Sequence, residues 1–62
     1  SVIKELIHAL EEQSGNKMVP LEAIIEAASE KNIPQDKVEE AVEKLRRAGD
    51  IFEPKKGFVQ RL

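Results

Sequence analysis

Three segments of this chain carry apolar residues at the three- and four-residue spacing of an amphipathic helix, and a fourth segment does not. The first stripe is Val2, Ile3, Leu6, Ile7 and Leu10, the second is Leu21, Ile24, Ile25 and Ala28, and the third is Val38, Ala41, Val42 and Leu45. This spacing predicts three helices, each with one face turned towards a shared core. After Gly49 the period changes, because residues 51–53 and 58–61 are short runs that favour β structure.

Proline, glycine and asparagine mark the predicted ends of these helices. We expect helix 1 to run to about Gln13 and to stop at Gly15, and residues 17–19 to form a short strand or extended link. Pro20 is suited to the first position of helix 2, and Pro34 to the opening of helix 3. Asn32 and Gly49 are predicted to end these two helices in left-handed conformations.

The last segment predicts a hairpin that covers the open side of the three helices. Residues 54–57, Pro-Lys-Lys-Gly, fit a type I turn with Gly57 at positive φ. The order of elements is that of an α+β winged helix-turn-helix, with three helices, a C-terminal β-hairpin wing and a short strand between helices 1 and 2. We expect Ile51, Phe58 and Leu62 to close the core, and Phe52 to be partly exposed because it alternates with Ile51.

The chain is short for an independently stable fold and has no covalent support. Its 62 residues include no cysteine, so neither a disulfide nor a thiolate zinc site is available and the 40% of hydrophobic residues must supply the core. No apolar run approaches the roughly 18 residues of a membrane span, and no signal peptide is apparent. We therefore expect an intracellular location. Because the chain begins at Ser1 without an initiator methionine and enters a helical pattern at once, we expect residues 1–62 to be a single domain excised from a larger protein.

The sequence offers no constellation of residues for catalysis. His8 is the only histidine and is predicted to lie on the exposed side of helix 1, with acidic neighbours only at helix-surface spacings. The pairs Glu11-Glu12 and Glu39-Glu40 lie on exposed helix faces without a cleft that would raise a pKa. We expect no catalytic, cofactor-binding or metal-binding residue in this chain, and an enzyme activity only in its parent protein.

The charge distribution argues against an obligate nucleic-acid binder. There are 12 acidic and 10 basic residues, for a net charge of -2. The predicted exposed face of helix 3, the expected reader of the major groove, has a net charge of -1 and consists of Asp36, Glu40, Glu43, Lys44 and Arg47. We interpret it mainly as a solvated face with i,i+4 pairs from Glu40 to Lys44 and from Glu43 to Arg47. Sequence-specific reading of DNA by this helix is not expected.

A second interpretation keeps a weak contact with DNA. Five basic residues at the end of helix 3 and on the wing would form a phosphate-facing patch: Arg46, Arg47, Lys55, Lys56 and Arg61. Such a patch predicts salt-sensitive, sequence-independent binding, no tighter than the roughly 10⁻⁴ to 10⁻⁶ M of non-specific contacts. It would be an accessory contact.

The closing run EAVEKLRRAGDIFEPKKGFVQRL resembles the C-terminal winged helix of archaeal minichromosome maintenance (MCM) proteins. The residues that carry the likeness are Leu45, Gly49, Ile51, Phe52, Glu53, Pro54, Gly57 and Phe58. The resemblance implies an accessory and regulatory domain behind the AAA+ motor of a hexameric, ATP-dependent replicative DNA helicase. ATP and Mg would then be bound by the parent motor domain, and the protein would be cytoplasmic and chromosome-associated in an archaeon.

The resemblance also implies protein partners, namely the parent motor domain and initiator proteins of the origin-recognition type. Phe52 and Pro54 at the base of the wing, with Glu40 and Glu43 on helix 3, are the candidate protein-contact residues. The alternative is the DNA-binding domain of a winged-helix transcription regulator, which would bind duplex DNA as a dimer; a structural adaptor is a third hypothesis. We predict that the isolated domain is a monomer.

Overall fold

A computed structural model describes all 62 residues and confirms the predicted fold class. It has three helices and a three-stranded antiparallel sheet. The elements are α1 Val2–Ser14, β1 Val19–Pro20, α2 Leu21–Ser29, α3 Gln35–Arg47, β2 Ile51–Phe52 and β3 Phe58–Arg61. The short strand between the first two helices and the C-terminal hairpin are both present. None of the helices has the length and hydropathy needed to cross a membrane.

Residues with positive φ follow all three helices, at the positions where the sequence predicts that the helices stop. Gly15, Asn32 and Gly49 have φ values of 70°, 63° and 81°. Helix α2 ends at Ser29, before Asn32, and the turn closes when the Ile33 N–H donates to the Ala28 carbonyl at 3.0 Å. The Asp50 N–H makes the equivalent bond to the Leu45 carbonyl at 2.9 Å. These bonds satisfy carbonyls that the helix ends would otherwise leave unpaired.

The predicted position of Pro20 is wrong by one residue. Pro20 is the residue before α2, with extended angles of φ -63° and ψ 134°, because it pairs with Phe58 in the sheet. Pro34 stands in the same relation to α3. A proline side chain cannot cap a helix, and the Leu21 N–H instead donates to the Gly57 carbonyl at 2.8 Å. The tip of the wing therefore supplies a backbone cap to α2.

The register of the sheet determines which side chains face the helices. Strand β3 lies between β1 and β2, and it pairs Val59 with Val19 and Arg61 with Ile51. Val19, Val59 and Ile51 are buried against the helices. Because successive residues of a strand point to opposite faces, Phe58 and Gln60 lie on the other face of β3.

All three helices and all three strands contribute to one core. Its nine buried residues are Ile3, Ile7, Val19, Ile24, Ala28, Val38, Leu45, Ile51 and Val59. The prediction for Ile51 is confirmed, but the predictions for Phe58 and Leu62 are wrong. Val59 is the buried residue of β3, Phe58 is only partly buried on the opposite face, and Leu62 is 79% exposed. The register, rather than the size of the side chain, decides which residue closes the core.

Candidate functional site

The outward face of α3 is a network of charges that largely neutralise one another. Asp36, Glu40, Lys44 and Arg47 are exposed, as predicted. Glu43 accepts hydrogen bonds from the guanidinium of Arg46, including one of 3.2 Å from Nε, and lies 3.7 Å from Nε of Arg47. The predicted Glu43–Arg47 pair is thus confirmed, with Arg46 as a second partner of the same carboxylate.

The other predicted pair on this helix is not formed. Glu40 lies 3.9 Å from Nζ of Lys37, one turn before it, instead of pairing with Lys44. Partners at i-3 and i+4 are both neighbours on an exposed helix and differ little in energy, so the sequence alone does not select between them. The carboxylates therefore dominate the N-terminal half of this face, while Arg46 and Arg47 at its C-terminal end are tied to Glu43 and Lys44 forms no ion pair.

The Glu43 carboxylate is held in its charged form by these arginines. The hydrogen bond from Arg46 is the main cause that lowers the pKa of Glu43 below its usual value, and the charges of Arg46 and Arg47 act in the same direction. The same contact raises the pKa of Arg46. A phosphate approaching this end of α3 would have to compete with Glu43 for both guanidinium groups.

The structure divides the five predicted basic residues into three groups. Arg46 and Arg47 share Glu43, and Arg61 binds Glu11 of α1, with its Nη2 and Nε at 2.7 and 3.1 Å from one carboxylate oxygen. Lys55 and Lys56, in the turn of the wing, form no ion pair, and Nζ of Lys55 lies 4.6 Å from the centroid of the Phe58 ring. All three arginines of the chain are therefore paired, and only the two lysines of the set are free of carboxylate partners.

The wing is short and its tip is fastened to the helical part of the domain. Strand β2 has only two residues, and the turn closes through the Phe58 N–H bonded to the Lys55 carbonyl at 3.1 Å. The bond from Leu21 to Gly57 holds the tip beside the start of α2. A wing held in this way presents its faces, rather than a projecting loop, to a ligand.

The four predicted protein-contact residues lie on the surface around α3 and the wing that follows it. Phe52 is 37% exposed, and Pro54 and Glu40 are exposed, whereas Glu43 is partly covered. The charge of Glu53, between Phe52 and Pro54, contributes to the raised pKa of Arg46. The base of the wing is therefore close to the C-terminal end of α3.

A groove between α1 and α2 was not predicted from the sequence. It has a volume of about 490 Å³ and lies over Leu6, Leu10 and several alanines, with Glu26 and Glu30 among its polar lining residues. The alanines are Ala9, Ala23 and Ala27. The sequence did contain one signal for this groove, namely small side chains beside two apolar stripes, because small side chains leave space between packed helices.

No cluster of acidic, histidine or cysteine side chains in the described chain could hold a metal ion. His8 is exposed on α1, as predicted, with Nε2 3.9 Å from Glu12. Both side chains are more than half exposed, so this pair has no enclosed site in which to act on a substrate.

The fold and its surface define a winged helix-turn-helix domain in which the N-terminal half of the third helix has more carboxylates than cations, where a reader of DNA would be basic. A family model described as the MCM protein C-terminal winged helix-turn-helix domain matches residues 1–60, and the chain belongs to this family. MCM proteins are ATP-dependent replicative helicases, so the resemblance is confirmed at the level of the family. Searches of curated proteins and of solved structures found no match.

Proposed function

We propose that this domain regulates the ATP-driven motor of a hexameric replicative helicase through protein contacts. The observation that carries the proposal is the charge of α3. Its exposed N-terminal half presents three carboxylates, Asp36, Glu39 and Glu40, against the single cation Lys37, and this negative balance would repel phosphate in a major groove. A surface that contacts protein has no such requirement for positive charge. Because residues 1–60 belong to the MCM C-terminal family, the motor that is regulated in this proposal is that of the MCM helicase.

The proposed contact surface combines the α3 carboxylates with the base of the wing. Glu40 and Glu43 supply the charge, and the exposed part of Phe52 with Pro54 supplies apolar area. An apolar anchor beside charged groups is the arrangement in which a few residues dominate a small interface. The proposed partners are the motor domain of the parent protein and initiator proteins of the origin-recognition type.

Duplex DNA has at most an accessory role in this proposal. Phosphate contacts by Arg46, Arg47 or Arg61 would each compete with an existing carboxylate contact. Lys55 and Lys56 are the two cations of the predicted patch that carry no such cost. Binding through the patch is therefore expected to be weak, independent of sequence and abolished by moderate salt.

The domain takes no cofactor and performs no reaction by itself in this proposal. ATP and Mg would be bound by the motor domain of the parent protein. The archaeal source and the cytoplasmic, chromosome-associated location are proposed from the resemblance of residues 40–62.

Reversing the charge of α3 within the full-length helicase tests the proposed regulation. We expect the double variant Asp36→Lys with Glu40→Lys to change the DNA-stimulated ATPase and unwinding rates in the same direction as deletion of the whole domain. The matched control is Glu5→Lys with Glu12→Lys, which makes the same charge change on exposed positions of α1. Unaltered rates in both the deletion and the α3 variant would contradict the proposal.

A further inference from the structure

Both aromatic residues of the chain lie on the face of the sheet that is turned away from the helices. Pro20 is opposite Phe58, and Gln60 is opposite Phe52, whereas the buried valines and Ile51 occupy the other face. Phe52 and Phe58 are thus diagonal neighbours on adjacent strands, with a Cα separation of about 7 to 8 Å that aromatic side chains can bridge. We call Pro20, Phe52, Phe58 and Gln60 the ring face.

The rings of the ring face are not needed to fill the core. The nine buried residues are all aliphatic, while Phe52 is 37% exposed and Phe58 is partly exposed. In a chain with only two aromatic residues, their placement side by side on a solvent-facing sheet leaves ring surface available to a ligand.

The segment that joins the two ring-face strands carries two unpaired cations and one carboxylate, so its charge is positive on balance. Lys55 and Lys56 lie in the turn that joins the two strands carrying the rings, and neither forms an ion pair. Nζ of Lys55 lies 4.6 Å from the Phe58 centroid, so a cation is already attracted to this ring. The four side chains of the ring face are themselves uncharged. The nearest carboxylate in sequence is Glu53, which is exposed and, like the two lysines, forms no ion pair.

We propose that the ring face binds single-stranded DNA, with bases stacked on Phe52 and Phe58 and with Lys55 and Lys56 on the phosphates. Open aromatic faces combined with cations are how sequence-tolerant proteins hold single strands, because every base has a π face. An incoming base takes the place of the Lys55 ammonium above Phe58, and the displaced ammonium then lies beside the backbone phosphate. This goes beyond the proposed motor regulation, which requires no contact with a strand.

The ligand chemistry follows from the rings and the charges together. Bases in a duplex are stacked on each other and cannot stack on a protein ring, so duplex DNA would use the lysines alone. A neutral apolar peptide would use the rings but not the lysines. A single strand is a polyanion with exposed π faces, and it uses both.

Titration of the isotope-labelled domain with a short oligothymidine, followed by NMR, tests the proposal. We expect the largest shifts at Phe52, Phe58, Gln60 and the two lysines, and smaller shifts with a duplex of equal length. Phe52→Leu and Phe58→Leu keep apolar bulk but remove the ring, and each is expected to weaken binding to the labelled oligomer about five- to tenfold in fluorescence anisotropy. Val2→Ala, at a half-exposed apolar position on α1, is the control.

The contribution of Lys55 and Lys56 to strand binding can be tested against a control that removes the same number of positive charges elsewhere on the surface. Lys55→Gln with Lys56→Gln should reduce the affinity and the salt dependence of binding, whereas Lys17→Gln with Lys31→Gln, at exposed lysines without ion pairs, should leave both nearly unchanged. Equal effects of the two pairs would mean that only net charge matters and would overturn the proposal.

Three further outcomes would also overturn it. They are ring-face resonances that do not move with oligothymidine, leucine variants that bind as tightly as the original, and shifts produced by an acidic peptide but not by the oligomer. Phe58→Leu changes a residue outside the proposed protein-contact surface, unlike Phe52→Leu, and it can be assayed separately in the full-length helicase. Loss of strand binding with intact motor regulation would support the two roles as independent, and failure of the strand test would leave the regulatory proposal standing.

Discussion

At the scale of single residues, a partly buried ion pair connects the last strand to the first helix. Arg61 of β3 binds Glu11 of α1 across 50 positions, with side chains that are only 35% and 16% exposed. We expect Arg61→Ala or Glu11→Gln to lower the free energy of unfolding by about 1 kcal/mol, because partial burial spares the pair much of the screening by solvent. Urea denaturation of both single variants and the double variant gives the coupling energy.

The control for this pair is Lys37–Glu40, in which Nζ lies 3.9 Å from Oε1 and the side chains are 62% and 65% exposed. Its coupling is expected to be no more than about 0.3 kcal/mol. A coupling for Glu11–Arg61 as small as that of the control would show that the pair does not contribute to holding β3 against α1.

Glu43 gives a prediction about pH. Its pKa in the folded domain is lowered, first by the hydrogen bond from Arg46. The stability that this contact contributes is therefore fully present above the unfolded pKa of Glu43 and is lost as the pH falls through the folded pKa. NMR titration of the Glu43 carboxyl carbon should give a midpoint below the ordinary 4.5, and Arg46→Gln should return it towards 4.5. A midpoint for Glu43 that is unaffected by Arg46→Gln would contradict this account.

At the scale of elements, the ends of the helices depend on residues in the left-handed region. Gly49 has φ 81° with open space around its Cα, so Gly49→Ala should cost about 1 kcal/mol from backbone conformation alone. Asn32 has φ 63°, where glycine is equally suited, and Asn32→Gly should leave stability within about 0.5 kcal/mol of the original. Thermal unfolding followed by circular dichroism measures both, and equal losses would mean that φ is not the cause.

The elements also show what the sequence could predict and what it could not. Apolar periodicity and residues such as Gly15 or Asn32 locate helices and their ends, because these signals act within a few neighbouring positions. The burial of Val59 in place of Phe58 depends on the pairing of β3 with both neighbours, and a shift of one residue exchanges the faces of a strand.

The candidate surfaces were predictable only as sets of residues. The sequence identified Arg46, Arg47 and Arg61 as basic positions, but their carboxylate partners depend on tertiary contacts and on choices between neighbours of nearly equal energy. The placement of both rings on one face likewise follows from register, which no local pattern in residues 51–61 specifies.

At the scale of the whole molecule, one core joins the wing to the helices. Every strand contributes an aliphatic residue to it, and the Leu21–Gly57 bond fixes the tip of the wing. The faces available to partners are therefore set by the fold and not by a mobile loop. This arrangement also determines how the domain can meet a second copy of itself.

The sheet offers little edge for pairing with another chain, which supports the predicted monomer. Its two outer strands, β1 and β2, have two residues each, and Pro20 in β1 has no N–H to donate. Short strands and edge prolines are the features that prevent sheets from extending between molecules. Light scattering after size exclusion should give the mass of one chain over the whole concentration range used for NMR. A stable dimer would contradict this and favour the alternative of a dimeric transcription regulator, in which two copies of α3 would face DNA together.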